Sequence, residues 1–247
     1  MRLRRVALAV AVVILVSCRG TVRNPSTLTV AAAANLTDVF AEIGAAFQAK
    51  TGIVAVFSYG STAQLANQIE NGAPFDIFAA ADTGHIDNLI ASGKLTAESR
   101  AVYALGQLAL WSPNRTIHEL KDLEKVRFIA IAQPNASPYG KASIEALKNS
   151  GLWERLQPKI VYANSISQAR QLAASGNADA AFTAYSLVLR EKGTAIKIDP
   201  SRYHPLEQAL AIATASSQNE EARRFREFLL SREGRSILSK TGYLLPQ

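Results

Sequence analysis

Four short stretches of small, polar and hydroxyl-bearing residues follow four predicted strands, and none of them contains Lys, Arg or His. They are residues 34–35, 58–62, 133–140 and 164–167. Each opens a predicted helix, whose first backbone N–H groups have no acceptor within the helix and whose N-terminus carries about half a positive charge. Several such termini directed at one point can bind a doubly charged anion without any cationic side chain.

These stretches also have a simpler explanation, because Asn and Ser are common helix N-caps. That explanation suffices for any single stretch. All four stretches, however, follow the carboxyl ends of predicted strands, which is where parallel sheets bind ligands. The residues alone leave both interpretations open.

The elements that would hold these stretches follow from the hydrophobic pattern. From Leu28 onward, short apolar runs such as LTVAAA, IVAVFS and FDIFAAA alternate with amphipathic segments. Helical spacing in the first segment predicts one buried face, formed by Leu36, Val39, Phe40, Ile43 and Phe47. Further strands are predicted at 128–132, 159–163, 179–183 and 208–213, and further helices at 138–149, 167–175, 184–192 and 217–239. This alternation is typical of an α/β fold with mainly parallel sheets.

The N-terminal segment predicts export. Three arginines precede an apolar run at 6–16, which has the length of a signal-peptide core and is short for a membrane span. The run ends in Leu-Val-Ser-Cys, which resembles the lipobox of bacterial lipoproteins, and Cys18 is the only cysteine. We therefore expect residues 1–18 to be a lipoprotein signal peptide, with Cys18 as the lipid attachment site and mature N-terminus. Residues 19–27 would be a tether to a membrane facing the periplasm or cell exterior.

The net charge does not indicate a nucleic-acid partner. Removal of the predicted leader would lower the formal net charge of +7 by three units, because Arg2, Arg4 and Arg5 leave with it. The remaining positive balance is modest for a chain of this length.

Catalytic signatures are weak. His85, His118 and His204 lie in unrelated segments, and the nucleophile-elbow pattern GxSxG does not occur. The pair at 140–141 is Gly-Lys, but Ala follows it where a phosphate-binding loop needs Ser or Thr. We expect no catalytic residue, cofactor or metal site. An exported hydrolase that uses the carboxylates on either side of one predicted strand, Asp76 and Asp82, stays open as an alternative.

Three segments carry a family resemblance: VAAAANLTDVF, YGSTAQLANQIENGAPFDIFAAAD and GNADAAFTAYSLV. They resemble, in order, the matching segments of the periplasmic molybdate-binding proteins of ABC importers, and the similarity extends from Leu28 to the C-terminal KTGYLLPQ. The resemblance implies a two-lobed type II periplasmic binding protein fold with the ligand in the interlobe cleft. One lobe would comprise residues 28–105 and 210–247, and the other residues 106–209.

The resemblance also implies the ligand-binding residues. Carried over position by position, they are Asn35, Thr62, Tyr139 and the backbone N–H of Ile166, with Ala34, Ser61 and Ala184 as further neighbours of the anion. Many relatives have a tyrosine where this chain has Ala184. We expect Tyr139 to supply the phenol instead, and Tyr185 to point away from the cleft.

The function implied is capture of molybdate, and of tungstate, for an ABC permease and its ATPase. The protein would act as a monomer and would carry out no catalysis. N–H donors at fixed positions cannot move closer to a smaller tetrahedral anion. Each donor left without a hydrogen bond costs about 1–3 kcal/mol of binding free energy. Selectivity against sulfate would follow from size. A binder of another oxyanion, such as sulfate or phosphate, remains the alternative within the same class.

Overall fold

The computed structural model describes residues 26–246. The predicted signal peptide, its Cys18 and nearly all of the predicted tether lie outside these residues. Among residues 26–246, no helix has the length and apolar character needed to cross a membrane.

Ten strands and eight α-helices form the described part of the chain. The strands are β1 (Thr27–Ala33), β2 (Val54–Gly60), β3 (Ile77–Ala80), β4 (Ala101–Gly106), β5 (Leu108–Ser112), β6 (Ile129–Ala132), β7 (Ile160–Ala163), β8 (Ala180–Ala184), β9 (Thr194–Lys197) and β10 (Leu206–Ile212). The helices are α1 (Thr37–Thr51), α2 (Thr62–Glu70), α3 (Gly84–Ala91), α4 (Pro138–Asn149), α5 (Trp153–Leu156), α6 (Ile166–Ala174), α7 (Asn219–Leu230) and α8 (Arg232–Lys240). Short 3-10 turns occur between them, two of which, at Ala34–Leu36 and Tyr185–Leu187, are close to the candidate site.

The strands form two five-stranded sheets, each the centre of one lobe. The first sheet has the order β2-β1-β3-β10-β4, and the second has the order β7-β6-β8-β5-β9. We call the part of the chain around the first sheet lobe one and the part around the second lobe two. The predicted two-lobed α/β architecture is therefore confirmed.

The sheets are mainly parallel, as expected, because four of the five strands in each sheet run in the same direction and one strand is reversed. β1 pairs in parallel with β2 and β3, and β6 pairs in parallel with β7 and β8. β10 runs antiparallel to β3 and β4, and β5 runs antiparallel to β8 and β9. In each sheet the antiparallel pairs involve a strand at a crossing between the lobes, since β5 follows the first crossing and β10 follows the second.

The chain crosses between the two lobes at two places, which we call the hinge segments. Gln107 alone separates β4 from β5, and residues 198–205 separate β9 from β10. Leu206, at the start of β10, already pairs with Gly106 in the first sheet. We therefore propose that lobe one resumes at Leu206 rather than at 210, because strand membership is the physical criterion for a lobe.

Two helix predictions need correction. Residues 184–192 contain only the 3-10 turn at Tyr185–Leu187, and the chain then bends into β9 at Gly193, which has a φ of 106°. A side chain there would meet the Ser112 carbonyl oxygen at 2.3 Å, so the bend requires glycine. The predicted helix 217–239 is two helices, because Ser231 ends α7 and its side chain caps α8 by accepting from the Gly234 N–H.

The core of lobe one confirms the predicted helix face. Every residue of that face is at most 1% exposed: Leu36, Val39, Phe40, Ile43 and Phe47. Phe225 of α7 packs edge-on against both Phe40 and Phe47 at ring-centroid distances of 6.0 and 5.2 Å. Burying a large apolar side chain contributes about 1.5–3 kcal/mol. This packing holds α1, and with it the turn that precedes α1, firmly against the first sheet.

Candidate functional site

The first polar stretch forms a buried turn between β1 and α1. The small residues 31–34 are at most 5% exposed, which lets the turn at Ala34–Leu36 lie closely against neighbouring elements. Ser167, the second residue of α6 in lobe two, donates from its hydroxyl to the Ala34 carbonyl oxygen at 2.7 Å. The first and fourth stretches therefore meet across the lobe boundary.

The residue that directly follows the second stretch contacts the third stretch. The backbone N–H of Ala63, in the first turn of α2, donates to the carbonyl oxygen of Ala136 at 3.2 Å. Ala63 belongs to lobe one and Ala136 to lobe two. The structure thus brings all four stretches to the boundary between the lobes, in two cross-lobe pairs.

Ser61 and Thr62 start α2. The Ser61 hydroxyl caps the helix by accepting from the Gln64 N–H at 3.4 Å. The Thr62 hydroxyl accepts from the Ala81 N–H at 3.3 Å, which leaves its own proton to donate elsewhere. Thr62 and Ile166 are the first residues of α2 and α6, so their backbone N–H groups have no acceptor within their own helices.

Tyr139 carries an unpaired buried hydroxyl. The residue is 1% exposed, and its Oη has no hydrogen-bond partner among the described residues. Three other buried side-chain atoms share this property, on Tyr103, Arg170 and Thr183, but only Tyr139 belongs to one of the four stretches. Burial raises the pKa of the Tyr139 hydroxyl well above its ordinary value, so the group stays protonated and able to donate.

The position of Tyr139 depends on the glycine that ends β4. A methyl group on Gly106 would lie 2.2 Å from Tyr139 Oη and 2.9 Å from Gln208 Nε2. The tyrosine therefore reaches from α4 of lobe two to the point where the chain crosses between the lobes. Glycine is required there because the phenol occupies the space of a side chain.

The Asn35 side chain is held inside the protein, which the sequence did not reveal. Its Nδ2 donates to Gln208 Oε1 at 2.8 Å and to Tyr243 Oη at 2.9 Å. Both amide protons are thus used. Gln208 Nε2 in turn donates to the carbonyl oxygens of Leu206 and Ala81, at 2.9 and 3.3 Å, which fixes Oε1 as the acceptor toward Asn35.

Ala184 and Tyr185 occupy different surroundings. Ala184 ends β8 and is 1% exposed in the core. The Tyr185 ring lies 5.2 Å from Lys197 Nζ and beside Gly242, whose added Cβ would be 3.1 Å from the ring. Ala184 offers no polar side chain.

The carboxylates considered for hydrolysis have structural contacts. Asp76 Oδ2 accepts from the Thr29 N–H and hydroxyl at 2.8 and 2.7 Å, and its Oδ1 accepts from the Ser216 hydroxyl at 2.7 Å. Asp82 accepts from the backbone N–H of His85 at 2.9 Å and pairs with its ring, and this hydrogen bond raises the pKa of His85. Asp76 thus ties β1 to two loops, and Asp82 stabilises the start of α3.

The sequence reasoning missed Gln208, Tyr243 and Ser186. A weak signal existed for the first, since Gln208 directly precedes the apolar run ALAI that ends β10, and it is 0% exposed. Tyr243 gave no local signal, because its partner Asn35 is 208 residues away.

Residues 28–244 match the family model described as bacterial extracellular solute-binding protein. The chain belongs to this family. It is 37% identical to the molybdate-binding protein ModA of Rhodobacter capsulatus over 221 residues, covering 87% of this chain and 86% of the relative. It is 35% identical to ModA of Azotobacter vinelandii over 222 residues, covering 87% of this chain and 88% of that one.

A solved structure of the same kind agrees with the fold. The periplasmic molybdate-binding protein of Azotobacter vinelandii superposes with a TM-score of 0.86 at 33% identity, over 89% of this chain and 100% of the other. Within the solute-binding family, the chain is therefore a member of the ModA group. The resemblance inferred from the three sequence segments is confirmed.

Proposed function

We propose that this protein is the substrate-binding component of a molybdate ABC transporter and also accepts tungstate. The observation that supports the proposal most strongly is the Tyr139 hydroxyl, which is protonated, buried and without a hydrogen-bond partner among the described residues. Buried polar groups are normally hydrogen-bonded, so a ligand at the lobe boundary would supply the acceptor. Membership of the ModA group supplies the chemical class of that acceptor. The protein would bind its ligand without transforming it, for delivery to a permease and its ATPase.

The proposed donors are uncharged. They are the hydroxyls of Thr62 and Tyr139 and the backbone N–H groups of Asn35, Thr62 and Ile166, with Ala34, Ser61 and Ala184 forming the adjacent walls. The Asn35 amide has both protons engaged. We therefore assign its side chain the role of holding the turn in place, and only its backbone N–H the role of a donor.

Selectivity would come from size. We infer that the donors on α2, α6 and Tyr139 keep fixed spacings, since Thr62, Ile166 and Tyr139 are each buried. A smaller tetrahedral dianion would leave donors unmatched at about 1–3 kcal/mol each. Sulfate would then bind more weakly by roughly fivefold to over a hundredfold per unmatched donor.

A melting-temperature series tests the proposal. At a ligand concentration of about 100 times Kd, binding adds about 2.7 kcal/mol of stability. For a chain of this size that raises Tm by roughly 5–10 °C. We expect molybdate and tungstate to produce such a shift, and sulfate and phosphate at the same concentration to produce a clearly smaller one. An equal shift with sulfate or phosphate would favour another oxyanion, and no shift with molybdate would refute the proposal.

Lipid anchoring and a monomeric state complete the proposal. The lipobox-like end of the leader supports acylation at Cys18. Palmitate labelling of exported protein tests it, because Cys18→Ser should abolish the label, and equal labelling of both forms would contradict it. Analytical ultracentrifugation of the protein without its leader measures its mass in solution. We expect the mass of a monomer, and the mass of a dimer would contradict the proposal.

A further inference from the structure

Two consecutive carbonyl oxygens of lobe one accept hydrogen bonds from lobe two. Ser167 Oγ donates to the Ala34 carbonyl oxygen at 2.7 Å, and Ser186 Oγ lies 3.3 Å from the Asn35 carbonyl oxygen. Ser167 is in the first turn of α6, and Ser186 is in the 3-10 turn that follows β8. Both serines are partly buried, and both acceptors are buried. One turn is thus held at two adjacent points by the opposite lobe.

Tyr243 joins this contact to the hinge. Its hydroxyl donates to the Asn35 carbonyl oxygen at 2.8 Å, accepts from Asn35 Nδ2 at 2.9 Å, and lies 3.2 Å from Ser186 Oγ. The residue is 3% exposed, and burial raises the pKa of its hydroxyl, so it remains a donor at neutral pH. Ser186 therefore faces two acceptors that belong to lobe one.

The segment around Tyr243 is fixed to the first crossing. Leu244 exchanges both backbone hydrogen bonds with Leu105, at 2.8 and 3.0 Å. Gln107, the residue between β4 and β5, donates from Nε2 to the Gly242 carbonyl oxygen at 2.7 Å. The Gln107 carbonyl oxygen accepts from the Tyr185 N–H at 2.9 Å, next to Ser186. The first crossing, the segment around Tyr243 and the 3-10 turn at Tyr185–Leu187 are therefore in direct contact with one another.

We propose that Ser167 and Ser186 form an interlobe latch, and that Tyr243 is the positioning residue that holds the Asn35 carbonyl for it. Ligand release in two-lobed binding proteins requires hinge opening. Hydrogen bonds between the lobes exist only in the closed state, so they slow opening and leave ligand entry into the open state unchanged. The latch thus sets the rate at which the bound oxyanion is released. This inference rests on the proposed function.

A contrasting cross-lobe contact shows why the serines are assigned this role. Arg190 pairs with Glu42 of α1 at 2.7 Å, but these side chains are 69% and 41% exposed. Exposed ion pairs of this kind contribute little and are screened by salt. The two serines are partly buried, and the Ala34 and Asn35 carbonyl oxygens that accept from them are buried backbone groups.

The test measures association and release of radiolabelled molybdate by the chain without its leader. The variants are Ser167→Ala, Ser186→Ala, the double variant and Tyr243→Phe, each compared with wild type by filter retention after dilution into excess unlabelled molybdate. Ser175→Ala is the matched control, because the Ser175 hydroxyl bonds within lobe two, to Leu172. From the usual net value of one hydrogen bond, we expect each single serine variant to release molybdate about twofold to tenfold faster.

The association rate and the unliganded melting temperature should stay at wild-type values in the serine variants. A role confined to stability would lower the melting temperature and leave the release rate alone. The double variant should multiply the two single effects, and Tyr243→Phe should speed release at least as much as Ser186→Ala. Release rates equal to wild type and Ser175→Ala would overturn the latch while the proposed function stands. Failure of wild type to retain molybdate would overturn both.

Discussion

The Asn35 side chain is bonded to two distant parts of the chain. Its amide connects β10, through Gln208, with the C-terminal segment, through Tyr243. All three residues are at most 3% exposed. The amide therefore has a structural role in the turn whose backbone we assign to the anion.

Asn35→Ala should lower the free energy of unfolding of the unliganded protein by about 1–3 kcal/mol. The reason is that Gln208 Oε1 loses its donor in a buried site, whereas Tyr243 keeps the Asn35 carbonyl as its acceptor. Urea unfolding measures the change. Asn177→Ala is the control, since that exposed amide bonds only to Ser175 Oγ, and it should cost less than about 0.5 kcal/mol. Equal stability of the two variants would contradict the assigned role.

At the scale of elements, the end of β4 and the start of α4 are fitted to each other. Gly106 ends the strand at the crossing, and the Tyr139 phenol fills the space above it. The helix that carries the candidate donor is thus positioned by a residue of the opposite lobe's sheet.

Gly106→Ala should weaken molybdate binding by tenfold or more and lower the unfolding free energy by about 1–3 kcal/mol, because the added methyl would lie 2.2 Å from Tyr139 Oη. Calorimetric titration and urea unfolding measure the two effects. Gly84→Ala is the control, since a methyl there meets no atom of residues 26–246 within 4 Å and should change neither quantity much. Adding Tyr139→Phe to Gly106→Ala should restore part of the lost stability. If Gly106→Ala behaved like Gly84→Ala, the fit described here would be wrong.

Local pattern predicted the elements better than the contacts between them. The spacing of apolar residues in 36–47 predicted the buried face of α1, and the residues after each predicted strand indicated the four polar stretches. Each of these predictions depended only on residues that are close together in the sequence. The helix proposed at 184–192 failed because the turn at Gly193 is imposed by the Ser112 carbonyl of a distant strand. Gln208 and Tyr243 were missed for the same reason, since their bonds to Asn35 span 173 and 208 residues of sequence.

For the whole molecule, we expect binding of molybdate to depend only weakly on salt concentration. Exposed charges are screened over about 8 Å at an ionic strength of 0.15 M, whereas short contacts to fixed N–H and O–H dipoles are not. We expect molybdate affinity to fall less than tenfold between about 0.01 M and 0.15 M sodium chloride in calorimetric titrations. A larger loss would mean that a Lys or Arg side chain contributes to the site.

We propose that the unpaired Tyr139 hydroxyl donates a hydrogen bond to the bound molybdate ion. Isothermal titration calorimetry of wild type and Tyr139→Phe with molybdate measures the contribution of this hydrogen bond. A hydrogen bond to a charged group is worth about 1.5–3 kcal/mol. The variant should bind molybdate roughly tenfold to over a hundredfold more weakly. Its unliganded melting temperature should not fall, because the change removes a buried hydroxyl that has no partner among the described residues.

Tyr185→Phe is the matched control, since its ring lies beside Lys197 and Gly242 and should not reach the anion. We predict that Tyr185→Phe binds molybdate with wild-type affinity and that Tyr139→Phe binds it much more weakly. Unchanged molybdate affinity in Tyr139→Phe, or no molybdate binding by the wild-type protein, would contradict the account.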